Sequence, residues 1–378
     1  MAGEIKGPGR HSVSQAETSS PALKEIFDRS RLDFFATTLK SIEPRFDDAR
    51  FLDHCTRDLE TLGIMQRLRR IAEGFGLALP GGYADQLDPL RELAPHIQHG
   101  FAAITLAEFV ALHGLDQPDL SLEALRHFTR FGSSEFAIRH FLHRDLAGTL
   151  KIMESWAEDE NYHVRRLASE GSRPRLPWSF QLKPIIADPS LTSGILARLN
   201  RDPHLYVRKS VANHLNDITK DNAAYALETL GRWDREPPHT AWIVNHALRS
   251  LIKKGNLQAL ALVGVRSSTP VRLADFRVTP EALSLGDTLQ LTARIVSEAQ
   301  ARERMVVDYA IHYVRKTGEA SRKVFKLKSF HLAPGESAEL SIAQTIRDFS
   351  TRKHYPGPHK IELLVNGATL GETVFLLR

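Results

Sequence analysis

The spacing of apolar residues divides the chain into a helical part and a strand part. Over residues 23–265 apolar residues recur at the period of an α-helix, as in Leu122, Leu125 and Phe128. Breaks rich in Gly and Pro, such as Leu79-Pro80-Gly81-Gly82, interrupt the periodic stretches, because proline removes a helix donor and glycine frees the backbone. The pattern therefore predicts a series of short helices.

After residue 267 the period changes to two. Leu289, Leu291, Ala293 and Ile295 alternate with polar residues, which is typical of a strand with one buried face. In a second alternating stretch, residues 307–313, Asp308 and His312 fall on the polar face. Asn366-Gly367 is a hairpin signal, because both residues accept a positive φ angle.

Roughly seven or eight strands over about 105 residues fit an antiparallel sandwich of immunoglobulin type. We therefore predict an α + β chain with three segments. Residues 1–22 form a disordered tail, residues 23–266 a solenoid of HEAT-like helical repeats, and residues 267–378 the β-sandwich.

The helical part contains a repeated segment. Tyr162-His163-Val164-Arg165-Arg166 is nearly matched by Leu205-Tyr206-Val207-Arg208-Lys209, 43 residues further on, and a looser third copy begins at Trp242. A spacing near 40 residues is typical of stacked two-helix repeats of HEAT type. Stacking would place the cations of successive copies on one face, and such a face suits a long polyanion.

Composition and net charge exclude few classes of function. The 50 Lys and Arg residues exceed the 45 Asp and Glu residues by five, and four of these excess charges lie in residues 268–378. The single cysteine, Cys55, excludes an intrachain disulfide, favours a reducing compartment and is interpreted as inert helix packing. The N-terminal residues lack the apolar run of a secretion signal, and no stretch is long enough to span a membrane. We expect a cytoplasmic protein.

The common catalytic motifs are absent from the sequence. It contains no Gly-x-Ser-x-Gly, Cys-x-x-Cys, His-Glu-x-x-His or phosphate-binding Gly-Lys-Ser/Thr segment. His140 and His143 could share a metal ion only with a third ligand that the sequence does not identify, so we predict no metal.

Three carboxylates remain as candidates for chemistry. Glu170 follows Arg166 by one helical turn and can pair with it, Asp217 follows Asn213 in the same way, and Glu135 lies at a predicted helix start. Each could instead be a helix cap or a surface ion pair. Trp178, on a Pro-rich loop, could offer its ring to a ligand or pack internally. The basic residues of the β domain could contact phosphate or form a solvated strand face.

At these residues the chain resembles the AlkC branch of the DNA alkylation repair family, which are HEAT-like-repeat DNA glycosylases with a C-terminal immunoglobulin-like domain. The resemblance is strongest in residues 134–139, 163–178, 207–217, 307–309, 323–328 and 354–359. It implies a monofunctional enzyme, without a Schiff-base lysine or cofactor, that hydrolyses the N-glycosidic bond of cationic bases in duplex DNA. The implied lesions are of the 3-methyladenine, 3-methylcytosine and 1-methyladenine class, reached without full base flipping. The protein would act as a nucleoid-associated monomer that needs no protein partner and no membrane.

The resemblance also implies roles for individual residues. Glu135, Glu170 and Asp217 become the catalytic carboxylates; Glu170 would position water and the other two would stabilise the sugar cation. Arg166 would orient Glu170, and Trp178 would pack on the lesion nucleotide. The candidate phosphate contacts are Arg165, Arg173, Arg175, Arg208, Lys209, Lys326, Lys328, Arg352, Lys353 and His354. The competing hypothesis is a non-catalytic helical-repeat scaffold that binds DNA or a protein.

Overall fold

The computed structural model describes residues 23–265, 270–349 and 353–378. The chain divides into two compact units, one ending at Ala137 and one running from Ile138 to Arg378. The second unit therefore contains both helices and strands. The predicted tail over residues 1–22 and the predicted boundary at residues 266 and 267 lie outside the described residues and stay predictions.

The first unit is built from helices, and the predicted break at Leu79-Pro80-Gly81-Gly82 separates α3 from α4. Helix N-termini are capped by Asp28 and Asp47, whose carboxylates accept hydrogen bonds from the backbone N–H groups of Arg31 and Arg50. Cys55 is buried, and burial raises the pKa of its thiol to about 12. The helices are α1 Arg29–Ile42, α2 Asp48–Thr56, α3 Ile64–Ala78, α4 Tyr83–Leu93, α5 Gly100–His113 and α6 Pro118–Phe128.

The second unit begins with the helices that carry the repeated segment. They are α7 Ile138–Arg144, α8 Leu146–Trp156, α9 Tyr162–Gly171, α10 Lys183–Ala187, α11 Ser193–Arg198, α12 Leu205–Asp221, α13 Ala223–Arg232, α14 Pro238–Ala247, α15 Arg249–Lys253 and α16 Leu257–Leu262. The three copies lie on α9, α12 and α14, and α12 packs against both of the others. The equivalent valines Val164, Val207 and Val244 are all buried. The repeat therefore encodes one buried helix face three times.

The strands of the second unit form two packed sheets. They are β1 Val271–Thr279, β2 Ala282–Leu283, β3 Thr288–Ser297, β4 Glu303–Val314, β5 Ala320–Leu332, β6 Ser337–Thr345, β7 Gly357–Val365 and β8 Ala368–Leu377. One sheet has the order β1-β3-β6 and the other β2-β8-β7-β4-β5, with every pair antiparallel except β2 with β8. The core between the sheets contains Leu289, Leu291 and Tyr309. The predicted order of helices followed by an antiparallel sandwich is confirmed.

Two features of the sandwich bear on its contact with the helices. The predicted turn at Asn366-Gly367 is present, with φ angles of 50° and 82°, and Gly367 lies against Gly255 so closely that a Cβ on Gly367 would be 2.7 Å from the Gly255 Cα. The polar face predicted for β4 is wrong at Asp308, which is 4% exposed. Asp308 is buried because this face of β4 lies beside helix residues, including Lys253.

None of the helices in residues 23–265 combines the length and the apolar character needed to cross a membrane.

Candidate functional site

The centre of the candidate site is an arginine that bridges carboxylates from two repeat helices. Glu170 lies one residue before the end of α9, and Asp217 lies on α12. Arg173 follows α9 and donates from Nη1 to Glu170 Oε1 at 2.6 Å and from Nε to Asp217 Oδ2 at 2.8 Å. All three residues are less than a tenth exposed. Two sequence-predicted carboxylates are therefore brought together by a buried guanidinium.

Two further cations complete this cluster. Arg166 Nη2 lies 3.5 Å from Glu170 Oε1, so the predicted pairing along α9 is present. Lys220 Nζ donates to Asp217 Oδ1 at 2.8 Å. Burial would lower the pKa of the Arg173 guanidinium, but the Glu170 and Asp217 carboxylates together raise it. Arg173 is therefore held charged. The sequence suggested that it contacts phosphate; in the structure its donors are directed at the two carboxylates.

A buried histidine fixes the spacing of the two carboxylate-bearing helices. His214 lies on α12, three residues before Asp217, and is 0% exposed. Its Nδ1 lies 3.0 Å from the Ser169 carbonyl oxygen on α9, and its Nε2 lies 3.3 Å from the Thr192 hydroxyl oxygen. Burial lowers its pKa to about 4, so the ring is neutral. The sequence did not identify His214 as a site residue. The feature that could have indicated it is a polar ring at a position where the repeat pattern predicts the helix core.

Arg139 anchors the loop after α9; it lies in the stretch 134–139 that carries the resemblance, but the sequence predicted no role for it. Arg139 is fully buried, and its Nη1 donates to the carbonyl oxygens of Gly171 and Arg173 at 3.0 and 2.7 Å. Its Nη2 donates to the Phe180 carbonyl. Between these anchors Trp178 is 63% exposed and has a φ of 63°, which is unusual for a bulky residue. The loop thus exposes the Trp178 indole on a strained backbone, and backbone strain of this kind is often found at functional sites.

In the first two repeat copies the first arginine supports the loop before its own helix. Arg165 Nη1 donates to the carbonyl oxygens of residues 159 and 160, and Arg208 Nη1 donates to those of residues 202 and 203. Arg165 also donates from Nε to Asp202 Oδ2 at 2.6 Å. Arg175 donates to both oxygens of Asp221 at 2.6 Å. These three arginines were predicted to contact phosphate, whereas the structure directs their donors at the protein.

The remaining predicted DNA contacts have different environments. Lys209, Lys326, Lys328 and Lys353 are exposed, while Arg352 lies outside the described residues. The prediction for His354 is corrected. Its side chain is 1% exposed, because the ring packs edge-on against Tyr313 and its Nδ1 lies 3.3 Å from Asp348 Oδ1.

Glu135 belongs to the first unit and lies in a turn rather than in a helix. Its Oε2 accepts a hydrogen bond from the Ser133 hydroxyl at 2.8 Å. His140 and His143 both pack against the Phe180 ring. Within the described ranges no three or more His, Cys, Asp and Glu side chains form a group that could hold a metal ion.

The chain is similar to a family model, to a bacterial protein and to a solved structure. Residues 272–378 match the family model described as "Uncharacterised protein YhaZ, C-terminal Ig-like domain". The Bacillus subtilis (strain 168) protein described as "Uncharacterized protein YhaZ" is 38% identical over 346 residues, which is 91% of this chain and 96% of that protein. A solved structure of the Pseudomonas fluorescens alkylpurine DNA glycosylase AlkC, bound to DNA containing an abasic site analog, is 49% identical with a TM-score of 0.92. That match covers 95% of this chain and 100% of the solved one.

Proposed function

Since the chain belongs to the AlkC branch of the DNA alkylation repair family, we propose that it is a DNA glycosylase that removes N-alkylated bases from duplex DNA. The observation that carries the proposal is the buried cluster in which Arg173 bridges Glu170 and Asp217. A fixed pair of carboxylates beside an exposed tryptophan suits a reaction in which positive charge develops on a sugar and water attacks it. The substrates are cationic bases of the 3-methyladenine, 3-methylcytosine and 1-methyladenine class.

The reaction needs little acid catalysis. When the N-glycosidic bond breaks, its electron pair neutralises the positive charge of the methylated base, and the base leaves as a neutral molecule. The deoxyribose becomes an oxocarbenium ion at C1′. Water then bonds to C1′ and gives up a proton, and the products are the free base and an abasic site. The protein must stabilise the sugar cation and orient the water.

The contacts of the two carboxylates distinguish their roles. Within the described part of the chain both cations that contact Glu170 do so at Oε1, which leaves Oε2 to accept a hydrogen bond from water. Asp217 is contacted at both oxygens, by Arg173 and Lys220. We therefore assign water positioning to Glu170 and electrostatic stabilisation of the sugar cation to Asp217. The stabilising role that the resemblance implies for Glu135 stays a prediction. Arg166 orients Glu170.

Trp178 carries the contact with the lesion nucleotide. Its indole is on the surface, so it packs against the nucleotide from outside rather than closing a deep pocket. This arrangement suits a reaction without full base flipping, which would otherwise cost a few kcal/mol of unstacking. Lys209, Lys326, Lys328 and Lys353 are exposed and supply phosphate contacts.

The test is release of methylated base from N-methylated duplex DNA, followed by chromatography of the free base. Glu170→Gln and Asp217→Asn should each lower the release rate by about 100-fold or more, as removal of an electrostatic catalytic group does. Glu228→Gln is the matched control, because Glu228 also pairs with an arginine one turn away but is exposed; its rate should stay at the wild-type value. Binding of the duplex without any base release by the wild type would instead support a non-catalytic scaffold.

The monofunctional mechanism has a separate test. Lys220 is the amine in the cluster, and its Nζ is engaged in an ion pair with Asp217 Oδ1 at 2.8 Å, whereas a Schiff-base mechanism needs a free amine. Borohydride added during turnover should trap no covalent protein–DNA adduct. An adduct that disappears in Lys220→Gln would show a Schiff-base mechanism and refute the proposed hydrolysis by water.

A further inference from the structure

A basic cleft lies in the second unit where the last repeat helices meet the sandwich. It has a volume of about 610 Å³ and is lined by Trp242 and His246 of α14, Arg249 and Lys253 of α15, and Lys326 of β5. A smaller cavity of about 60 Å³ shares Arg249, Lys253 and Lys326 with it. The walls therefore come from two different folds. The sequence predicted a DNA contact for Lys326 but for none of the helix residues in this lining.

The charges in this cleft are unbalanced. Arg249, Lys253 and Lys326 converge on it, and the described residues that line the larger cavity include no carboxylate. Asp308 lies in the smaller cavity and is 4% exposed. Burial raises the pKa of its carboxyl, and Lys253 and Lys326 oppose that rise, so both ammonium groups are near it. Two of these three cations therefore share one buried carboxylate, and like charges held together favour binding of an anion.

The chemistry of the lining favours a phosphate over a nucleobase. The Trp242 ring is already stacked on His246, with centroids 4.9 Å apart and planes 11° apart. The Arg208 guanidinium also lies over that ring, 5.9 Å from its centroid. An indole with these neighbours is a wall of the cleft rather than a platform for a base. Ammonium and guanidinium groups are the donors that bind phosphate oxygens in proteins.

The cleft is next to the candidate active site. Arg249 Nη2 donates to Asn213 Oδ1 at 2.9 Å, and Asn213 is one turn before Asp217 on α12. Burial lowers the pKa of the Arg249 guanidinium; the Asp217 carboxylate opposes that shift and Arg173 adds to it. Arg249 thus lies within electrostatic reach of the carboxylate cluster. A strand whose lesion nucleotide faces Asp217 has a phosphate on each side of that nucleotide, close to this cleft.

We propose that this cleft binds one phosphodiester of the lesion-bearing strand, directly beside the lesion nucleotide, and that Arg249, Lys253 and Lys326 hold it jointly. This inference rests on the proposed function. Because the cations come from the helices and from the sandwich, one phosphate neutralises the repulsion between the two folds. Bound DNA then fixes the sandwich at the side of the active site.

The first experiment measures the salt dependence of binding to a duplex that contains an abasic-site analogue, so that no catalysis is needed. The variants are Lys253→Gln, Lys326→Gln and the double variant, with Lys254→Gln as a control that removes an exposed neighbouring charge outside the lining. Neutralising one phosphate contributes about 0.9 to the slope of log affinity against log salt. If both lysines hold the same phosphate, the double variant should lose about 0.9 in total.

Two outcomes would overturn the inference. A double variant with the wild-type slope would show that Lys253 and Lys326 hold no phosphate, which contradicts joint binding. A double variant that loses about 1.8, the sum of two separate contacts, would show that the lysines hold different phosphates. Thermal unfolding of each variant checks that the fold is kept, which is expected because Lys253 is partly exposed and Lys326 is exposed.

The second experiment locates the phosphate on the DNA. Duplexes carry a single uncharged methylphosphonate either 5′ or 3′ of the abasic analogue. One of the two positions should weaken wild-type binding by the same factor as the double variant, and that methylphosphonate should weaken the double variant no further. Independent, multiplying effects at both positions would overturn the assignment.

A third measurement separates a strand phosphate from a free anion. Inorganic phosphate is titrated calorimetrically into the wild type and into the double variant, and neither should show saturable binding in this cleft. Saturable binding to the wild type that is lost in the double variant would indicate a free-anion site and overturn the inference. Failure of this inference is distinct from failure of the proposed function. Base release with a wild-type salt slope in the double variant would contradict the inference alone, whereas phosphate-dependent binding without base release would contradict the glycosylase alone.

Discussion

Replacement of Arg173 by methionine tests whether the buried bridge holds the candidate site together. Methionine keeps an apolar stem of similar length but removes the guanidinium, so Glu170 and Asp217 lose the cation that they share. Both carboxylates are less than a tenth exposed. Removing one partner of a buried ion pair costs about 3–5 kcal/mol. Arg166 and Lys220 remain, each beside one of the two carboxylates, but neither bridges them. The same change at Arg175, whose pair with Asp221 is more exposed, should cost about 0–1 kcal/mol.

The assay is urea unfolding of both variants, with calorimetry to follow the thermal transition of the second unit. For a domain of this size about 1 kcal/mol corresponds to about 2–4 °C, so Arg173→Met should lower the transition by roughly 6–20 °C. Arg175→Met should lower it by no more than about 4 °C. Arg173→Met should also lose base release, since the carboxylates are no longer held in one arrangement.

A double-mutant cycle identifies the cause of the loss. If the loss comes from the Asp217 carboxylate that no longer pairs with Arg173, Asp217→Asn in the Arg173→Met background should raise the free energy of unfolding. The same change in the wild type should lower it. Equal losses for Arg173→Met and Arg175→Met would refute the reasoning. So would strictly additive losses for Arg173→Met and Asp217→Asn, because the bridge would then carry no coupling energy.

Three further predictions concern the surroundings of the site. Trp178→Gly should keep the free energy of unfolding within about 1 kcal/mol of the wild type, because relief of the left-handed backbone strain offsets the entropic cost of a glycine. The same variant should bind the abasic-analogue duplex more weakly, and unchanged binding would show that Trp178 does not contact the DNA. His214→Asn should flatten the loss of stability between pH 6.5 and 4, measured by urea unfolding at several pH values. The reason is that burial lowers the pKa of folded His214 from 6.5 to about 4, so only the unfolded wild type takes up this proton in that range. Gly367→Ala should destabilise the protein by about 1–3 kcal/mol more than Gly318→Ala. Both glycines have a φ of 82°, but only at Gly367 would the new methyl group meet a backbone atom, the Gly255 Cα at 2.7 Å. Equal losses of stability would show that the turn tolerates the contact.

Features encoded by local periodicity could be predicted from the sequence. The repeat spacing located α9, α12 and α14, and the one-turn spacing of Arg166 and Glu170 placed their side chains together. The hairpin turn followed from Asn366-Gly367, because its φ requirements are local. Each of these inferences depends on residues within a few positions of each other, and this is the range over which sequence spacing fixes geometry.

Features that depend on distant partners could not be predicted. Arg173 reaches Asp217 from 44 residues away, and Arg165 reaches Asp202 from 37 residues away. A basic residue in isolation suggests phosphate, since its protein partner is not visible in the surrounding sequence. Asp308 alternates with apolar residues on β4 and was therefore expected in solvent. It is buried because helix residues lie beside that face of β4.

The repeat copies separate the residues that build the fold from those that do the chemistry. Arg165 and Arg208 are equivalent, and each supports the loop before its own helix, so the shared cation is structural. The position of Glu170 in one copy is occupied by Asn213 in the next. Glu170 accepts from the bridging Arg173, whereas the Asn213 amide oxygen accepts from Arg249 at the wall of the basic cleft. A carboxylate at the second position would pair with Arg249 and compete with phosphate for it, while a neutral amide holds the guanidinium in place and leaves its charge for the ligand. In the proposed mechanism, the change from acid to amide therefore turns one repeated position from a site for bond cleavage into a support for binding the strand.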